Sequence, residues 1–187
     1  MAEWSALREA SRINVVGTSG SGKSTFSRRL ATLRNLPYVE MDQLYWKADW
    51  EEPDRREYHA RVEAVVAAPE WVLDGNYRRT CPIKWPRTEL VVFLDLPLAL
   101  TVQRLIRRSW QRGTSGQELW PGTGNRETLR RSFLSSDSVI WWGIINHARN
   151  RRRYDRQTVL AAYPHLQVVH LQSPREVTDC LAALAAD

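Results

Sequence analysis

Short apolar runs alternate along this chain with segments whose apolar residues recur at helical spacing, and the alternation predicts a β/α succession. Arg12-Ile13-Asn14-Val15-Val16 is β-branched and apolar, the pattern of a buried strand. Phe26 to Leu33 has helical spacing, and Leu36-Pro37 stops that helix near Asn35. Tyr38 to Asp42 reads as a second strand ending in a carboxylate. Pro53 to Ala68 reads as a helix with Tyr58, Val62, Val65 and Val66 on one face. Trp71-Val72-Leu73 is a third strand running into the turn at Asp74-Gly75, and Leu90 to Asp95 is a fourth, closed by Pro97. A helix is predicted over Ala99 to Trp110, helical character resumes near Arg126, again from Val139 to His147, and a further helix ends at Tyr163. Leu166 to Leu171 is the fifth strand, and Ser173-Pro174-Arg175-Glu176 has the N-cap and N1 proline that open a terminal helix. Five strands separated by helices, without internal repeat or long linker, predict one three-layer α/β domain over residues 1–187 with a parallel sheet. Gly113 to Gly116 and Trp120 to Gly124 break the pattern, so roughly residues 109–126 are the natural place for a mobile lid.

Composition narrows the setting. A hydrophobic content of 43% over 187 residues suffices for a full core. No apolar run is long enough to cross a bilayer, and Met1 to Ser11 carries charges where a signal peptide has its apolar core. A cytoplasmic protein without a membrane partner is the expectation. The two cysteines, Cys81 and Cys180, lack the spacing of a disulfide framework or zinc site. The net charge is +6, yet Arg104 to Arg156 holds twelve arginines and four acidic residues, a local +8 that leaves −2 for the rest. Arginine suits a bidentate grip on phosphate oxygens. The same cluster also allows a second reading, a nucleotide-dependent regulatory protein that binds nucleic acid through its basic region. Nine tryptophans allow an apolar interface, so both monomer and homodimer are compatible with the chain.

One stretch carries the chemistry. Gly17-Thr18-Ser19-Gly20-Ser21-Gly22-Lys23-Ser24-Thr25 fits the phosphate-binding P-loop, or Walker A, pattern between a strand and a helix. Its glycines let successive N–H groups converge on phosphate oxygens at the positive end of a helix. Lys23 is then placed for the β- and γ-phosphates of ATP, the Ser24 hydroxyl for Mg²⁺, and Thr25 for a further phosphate contact. Asp42, at the carboxyl end of a strand, lies where doubly wound folds bind ligands. The aromatic stretch Gln43 to Trp50 either lines an acceptor pocket or packs as core.

These features resemble the P-loop kinase group that includes adenylate, shikimate and gluconate kinases. Met41-Asp42-Gln43-Leu44-Tyr45-Trp46, Trp71 to Tyr77, Phe93-Leu94-Asp95-Leu96-Pro97 and Gly124-Asn125-Arg126-Glu127 resemble, within it, the topology-modulation (FlaR-like) proteins related to adenylate kinase. The resemblance implies the P-loop nucleoside triphosphate hydrolase fold, with sheet order 2-3-1-4-5, a short helical lid, and ATP at the carboxyl edge. It implies an ATP-dependent phosphotransferase acting on a small-molecule phosphate acceptor. Asp74 is similar to the residue that supports the Mg²⁺ shell and Arg78 to one that contacts the transferring phosphate. Arg104 and Arg108 resemble the pair that opens the lid, Arg126 and Arg130 the pair that closes it. Asp42-Gln43-Leu44-Tyr45-Trp46 departs from the segment with which adenylate kinases hold AMP. An aspartate there resembles kinases that phosphorylate hydroxyls, with support of the Mg²⁺ shell or a structural N-cap as the other roles open to Asp42. Asp95 imitates a Walker B strand, but the resemblance favours Asp74 for Mg²⁺.

Overall fold

The computed structural model describes residues 4–135 and 138–186. Five strands, β1 (Arg12–Gly17), β2 (Tyr38–Glu40), β3 (Trp71–Asp74), β4 (Leu90–Leu94) and β5 (Gln167–Leu171), form one sheet in the order β2-β3-β1-β4-β5. Every pairing is parallel, with Val15 opposite both Asp74 and Val92. Parallel strands need crossovers, and covering both faces with helices buries the sheet on two sides.

Alternation along the strands sends side chains to two cores. Ile13, Val15, Leu90, Val92, Leu94 and Leu171 pack with Leu7 of α1 (Ser5–Glu9), Phe26 and Leu30 of α2 (Lys23–Arg34), and Leu181 and Leu184 of α10 (Pro174–Ala185). Across the sheet, Val16, Val91 and Phe93 meet Cys81 of α5 (Cys81–Lys84), Trp85, Tyr154 of α8 (Val139–Tyr154) and Val159 of α9 (Arg156–Ala162). A third cluster joins Met41 of α3 (Met41–Tyr45) to Tyr58, Val62 and Val66 of α4 (Arg55–Val66), beneath Trp71 and Leu73. Two helices complete the set, α6 (Leu98–Ser115) and α7 (Leu129–Leu134). Among the described residues, no helix is long and apolar enough to cross a membrane.

Asn14 is a polar residue in the middle of the sheet. Asn14 has no solvent exposure, yet its Nδ2 donates to the carbonyls of Leu73 (3.1 Å) and Gly75 (3.3 Å), while its Oδ1 accepts from Trp85 Nε1 at 3.0 Å. An unpaired buried amide would cost roughly 1–3 kcal/mol, so these bonds are what make Asn14 tolerable there. They also tie β1 to the turn after β3.

Several boundaries differ from the sequence expectation. β2 ends at Glu40, and Asp42 lies in the first turn of α3, because Met41 is drawn fully into the cluster around Tyr58 and Trp71. α6 does not stop at Trp110 but continues through Gly113 to Ser115. Glycine serves packing there: a Cβ at Gly113 would fall 2.7 Å from Leu129 Cδ2, so its absence lets α7 approach α6. Helical structure resumes at Leu129 rather than near Arg126, with Thr128 as N-cap. α8 runs past His147 through the arginine run to Tyr154.

Candidate active site

The P-loop follows directly from the packing of its strand. Gly17 closes β1 at φ +152°, where a Cβ would lie 2.6 Å from the Leu94 carbonyl, and Gly20 at φ +84° would drive one to 2.4 Å from the carbonyl of Thr101. Neither position accepts a side chain, so the loop can be threaded between β4 and α6 only with glycine. Asn150 of α8 reaches Thr18 Oγ1 at 3.4 Å from the opposite side. α2 then begins at Lys23 with no side-chain cap at Gly22, whereas α4, α7, α8, α9 and α10 are capped by Asp54, Thr128, Ser138, Asp155 and Ser173. Its first N–H groups are therefore open to an anion.

Around this helix start the structure gathers three carboxylates and one lysine. Lys23 Nζ lies 3.3 Å from the Thr18 carbonyl and has Asp74, Asp42 and Glu40 as its acidic neighbours. Burial in the cleft pulls its pKa below the usual lysine range, Asp74 and Asp42 oppose that fall, and Arg108 adds to it. Asp74, only 4% exposed at the end of β3, accepts the Tyr38 hydroxyl at 3.1 Å. Glu40 accepts from Arg28 (2.8 Å), Tyr38 (3.2 Å) and the indole of Trp120 (3.2 Å).

Asp42 accepts the Tyr77 hydroxyl at 2.7 Å. Its confinement among protein groups raises its pKa, while the Tyr77 hydrogen bond and Lys23 pull it back. Part of the residue remains exposed to solvent, which moderates the rise. Tyr77 holds this contact from φ +28°, a conformation that a non-glycine residue keeps only under constraint from its surroundings. Because the tyrosine stabilises the ionised form, Tyr77→Phe is expected to raise the Asp42 pKa further above the ordinary value of 3.8, read by carboxyl ¹³C titration. The sign for stability is the reverse of the usual carboxylate. A raised folded pKa contributes stability at low pH that is lost as pH climbs through it.

The predicted arginines divide. Arg104 points its Nη1 to the Ser21 carbonyl at a long 3.4 Å, and half-buried Arg108 faces Asp42, Glu40, Glu127 and Arg112. Arg108 Nε is buried without a partner, a donor left over beside the P-loop lysine. Arg78 sits in a 3-10 turn (Arg78–Thr80) with Cys81 and Tyr154 as electrostatic neighbours. Arg126 is exposed in a loop ladder opposite Glu118, and Arg130 is exposed on α7. Asp95 is engaged elsewhere, accepting from Arg151 Nε at 2.9 Å and His170 Nε2 at 3.1 Å. Thr25 is exposed on α2.

The aromatic stretch after β2 packs as well as lines. Tyr45, Trp46, Trp50 and Trp120 form a chain of edge-to-face contacts with centroid distances of 5.0, 5.4 and 5.8 Å. The loop between α6 and α7 docks on it: Asn125 donates to the Lys47 carbonyl (2.7 Å) and accepts from Trp50 N–H (2.8 Å), and Arg131 lies 4.0 Å over the Trp50 ring.

The sequence reading did not single out Asn76. Its amide accepts from Gly17 N–H and donates to the Gly17 carbonyl, both at 2.9 Å, and so clamps the first residue of the P-loop. Nor did it single out Tyr77 as the partner of Asp42, or Lys84. Asn76 and Tyr77 follow Asp74 at a strand end facing the loop, which marked their place though not their partners. Lys84 gave no signal beyond being a charge in the apolar run Cys81 to Trp85.

The residues present fit ATP and Mg²⁺. Open α2 amides, the orphaned Arg108 Nε and the unpartnered Ser21 Oγ suit phosphate oxygens. Ser24 and Asp74 offer hard oxygen donors of the kind Mg²⁺ takes along with phosphates.

Comparison with solved structures agrees with the topology. A shikimate kinase from Bacteroides thetaiotaomicron superposes with TM-score 0.54 at 13% identity, covering 95% of this chain and 97% of that one. A shikimate kinase from Acinetobacter baumannii, solved in complex with shikimate, gives 0.52 at 18% identity over 97% and 95%. The fold is that of the P-loop nucleoside triphosphate hydrolases. A gluconokinase from Sinorhizobium meliloti 1021 is also similar, with TM-score 0.49 and 20% identity over 94% of each chain. A scan against protein-family models and a search of curated proteins both return no match. In this P-loop fold, the carboxyl edge of the sheet carries Gly17, Glu40 and Asp74, with Asp42 two residues beyond Glu40 in the first turn of α3.

Proposed function

We propose that this chain is a Mg²⁺- and ATP-dependent kinase that transfers the γ-phosphoryl group to a hydroxyl of a small molecule, within the adenylate-kinase-like P-loop kinases that include the topology-modulation proteins. The observation that carries the reading is the placement of Asp42, oriented by Tyr77, beside the P-loop Lys23 and Asp74.

In this scheme the α2 amides and Lys23 would bind the β- and γ-phosphates, and Ser24 and Asp74 would hold Mg²⁺. The ion, when bound, neutralises phosphate charge. Asp42 orients the acceptor hydroxyl and takes its proton as the oxygen bonds to phosphorus and ADP departs. Arg104 and Arg108 flank the oxygens on which charge accumulates, and Arg78 acts as a further phosphate contact. Residues 109–126 act as the lid, with Arg126 and Arg130 at its closing end. Its docking on Trp50 keeps water from the transferring group.

The test is ADP release from MgATP by the purified chain against shikimate, gluconate, nucleosides, AMP and other nucleoside monophosphates, beside a no-acceptor control. Stimulation by a hydroxyl compound and none by AMP is the expected result. Stimulation by nucleoside monophosphates alone removes the proton-accepting role from Asp42. ATP binding with no stimulation by any acceptor counts against the kinase reading itself.

A further inference from the structure

Lys84 ends the short helix α5 with no solvent exposure at all. Its Nζ donates to the carbonyls of Asn76 (2.9 Å) and Gly75 (3.2 Å) and lies 3.4 Å from Met41 Sδ. All three partners are neutral. Among the described residues no carboxylate forms an ion pair with it, although Asp74 lies near enough to act on its charge. Burial accordingly pulls its pKa from 10.5 to about 8. A buried ammonium held by two carbonyls and a thioether is a costly way to fill space that methionine would fill without charge.

The turn it grips explains the expense. Lys84 shares the Gly75 carbonyl with Asn14, and the Gly75 N–H is bonded to the Val15 carbonyl, while Lys84 alone among the described residues is seen to hold the Asn76 carbonyl. The Asn76 carboxamide clamps both backbone groups of Gly17, and the next residue, Tyr77, holds Asp42. The turn is constrained at two points, Gly75 at φ +147°, where a Cβ would meet Met41 Cβ at 2.9 Å, and Tyr77 at φ +28°. Met41 precedes Asp42, so Lys84 touches both ends of the connection between the P-loop and the acceptor carboxylate.

We propose that Lys84 is a positioning residue for phosphoryl transfer: by fixing the turn of residues 74–77 from beneath, it sets the spacing between the start of the P-loop and Asp42. The inference rests on the kinase reading above. Lys84 touches neither nucleotide nor acceptor, and acts through Asn76 and Tyr77.

The experiment compares the full chain with Lys84→Met, a neutral side chain of similar length. Three measurements are made: the unfolding midpoint at pH 7, amide hydrogen exchange of the peptide spanning residues 74–80, and transfer kinetics with the acceptor found above. The expected result is an unfolding midpoint equal to or above wild type, with faster exchange confined to that peptide. A misplacement of the order of 1 Å lowers kcat by up to about 10²-fold, and KM for ATP is expected to change by less than about threefold. Unchanged exchange over residues 74–80 overturns the proposal, as does unchanged kcat. A fall in the unfolding midpoint together with transfer also overturns it, because Lys84 then supports the fold alone. If the wild-type chain transfers to no acceptor, the kinase reading falls and Lys84 with it as a residue of transfer, while exchange over 74–80 still reports whether it fixes the turn.

Discussion

Lys23→Ala is expected to lower phosphoryl transfer by about 10³-fold or more while leaving the unfolding midpoint close to wild type. Two observations set the size and the selectivity of that effect. Lys23 is the cation that faces Asp74, Asp42 and Glu40 at the open start of α2. In the proposed scheme, without it the three carboxylates confront the phosphates of ATP with Glu40 still paired to Arg28 and with Arg108 and Arg104 nearby, and both ground-state binding and transition-state charge lose the lysine counterion. Removal also raises the Asp42 pKa, since Lys23 is one of the groups that hold it down, so the carboxylate becomes a poorer acceptor of the hydroxyl proton at low pH. The fold depends little on this side chain, whose one hydrogen bond among the described residues is a 3.3 Å contact to Thr18 within its own loop. ADP release with a stimulating acceptor, run beside thermal unfolding, decides the matter. Turnover within tenfold of wild type would mean that the P-loop lysine is not in the reaction.

Asp42→Asn is expected to reduce kcat by roughly 10²–10⁴-fold, the usual range for removing a general base, with KM for ATP unchanged. The amide keeps the volume and still accepts the Tyr77 hydroxyl, so the turn of residues 74–77 stays in place while proton acceptance is lost. The variant separates the roles that the sequence left open. A Mg²⁺-shell carboxylate, when neutralised, raises the Mg²⁺ concentration needed for half-maximal rate. A base lowers the rate at saturating Mg²⁺. An N-cap affects stability and neither of these, and the position of Asp42 inside the first turn of α3, after Glu40, already argues against capping. Undiminished kcat in Asp42→Asn would remove this residue from the chemistry.

The coupling of P-loop and acceptor carboxylate through one turn bears on both variants. Gly17 is bonded to Asn76, Asp42 to Tyr77, and the carbonyls of Gly75 and Asn76 to Lys84. In the proposed scheme, changes in Lys23 or Asp42 act on the groups that meet substrate, and changes in Lys84 act on where those groups stand. The two kinds of variant should therefore part in stability: removing a surface-reachable catalytic group leaves the midpoint unchanged, and removing the buried ammonium leaves it unchanged or raises it.

What the sequence by itself determined was whatever short-range patterns encode. The P-loop was legible from its spacing and flanks. The strands followed from β-branched apolar runs, and the terminal helix from Ser173 and Pro174, whose N-cap geometry is local to a few residues. Strand order, implied by the resemblance, agrees with the sheet observed. Tertiary structure decided the rest. Burial of Met41 against Tyr58 and Trp71 ended β2 early and put Asp42 on a helix. Contact between Gly113 and Leu129 kept α6 intact where the glycine had read as a break. The bonds that assemble the site join residues far apart, Gly17 to Asn76 across 59 positions and Met41 to Lys84 across 43. No periodicity in the chain records such pairs. They arise because β3 lies beside both β1 and β2 in the sheet, which brings the segments that follow their carboxyl ends within hydrogen-bonding distance.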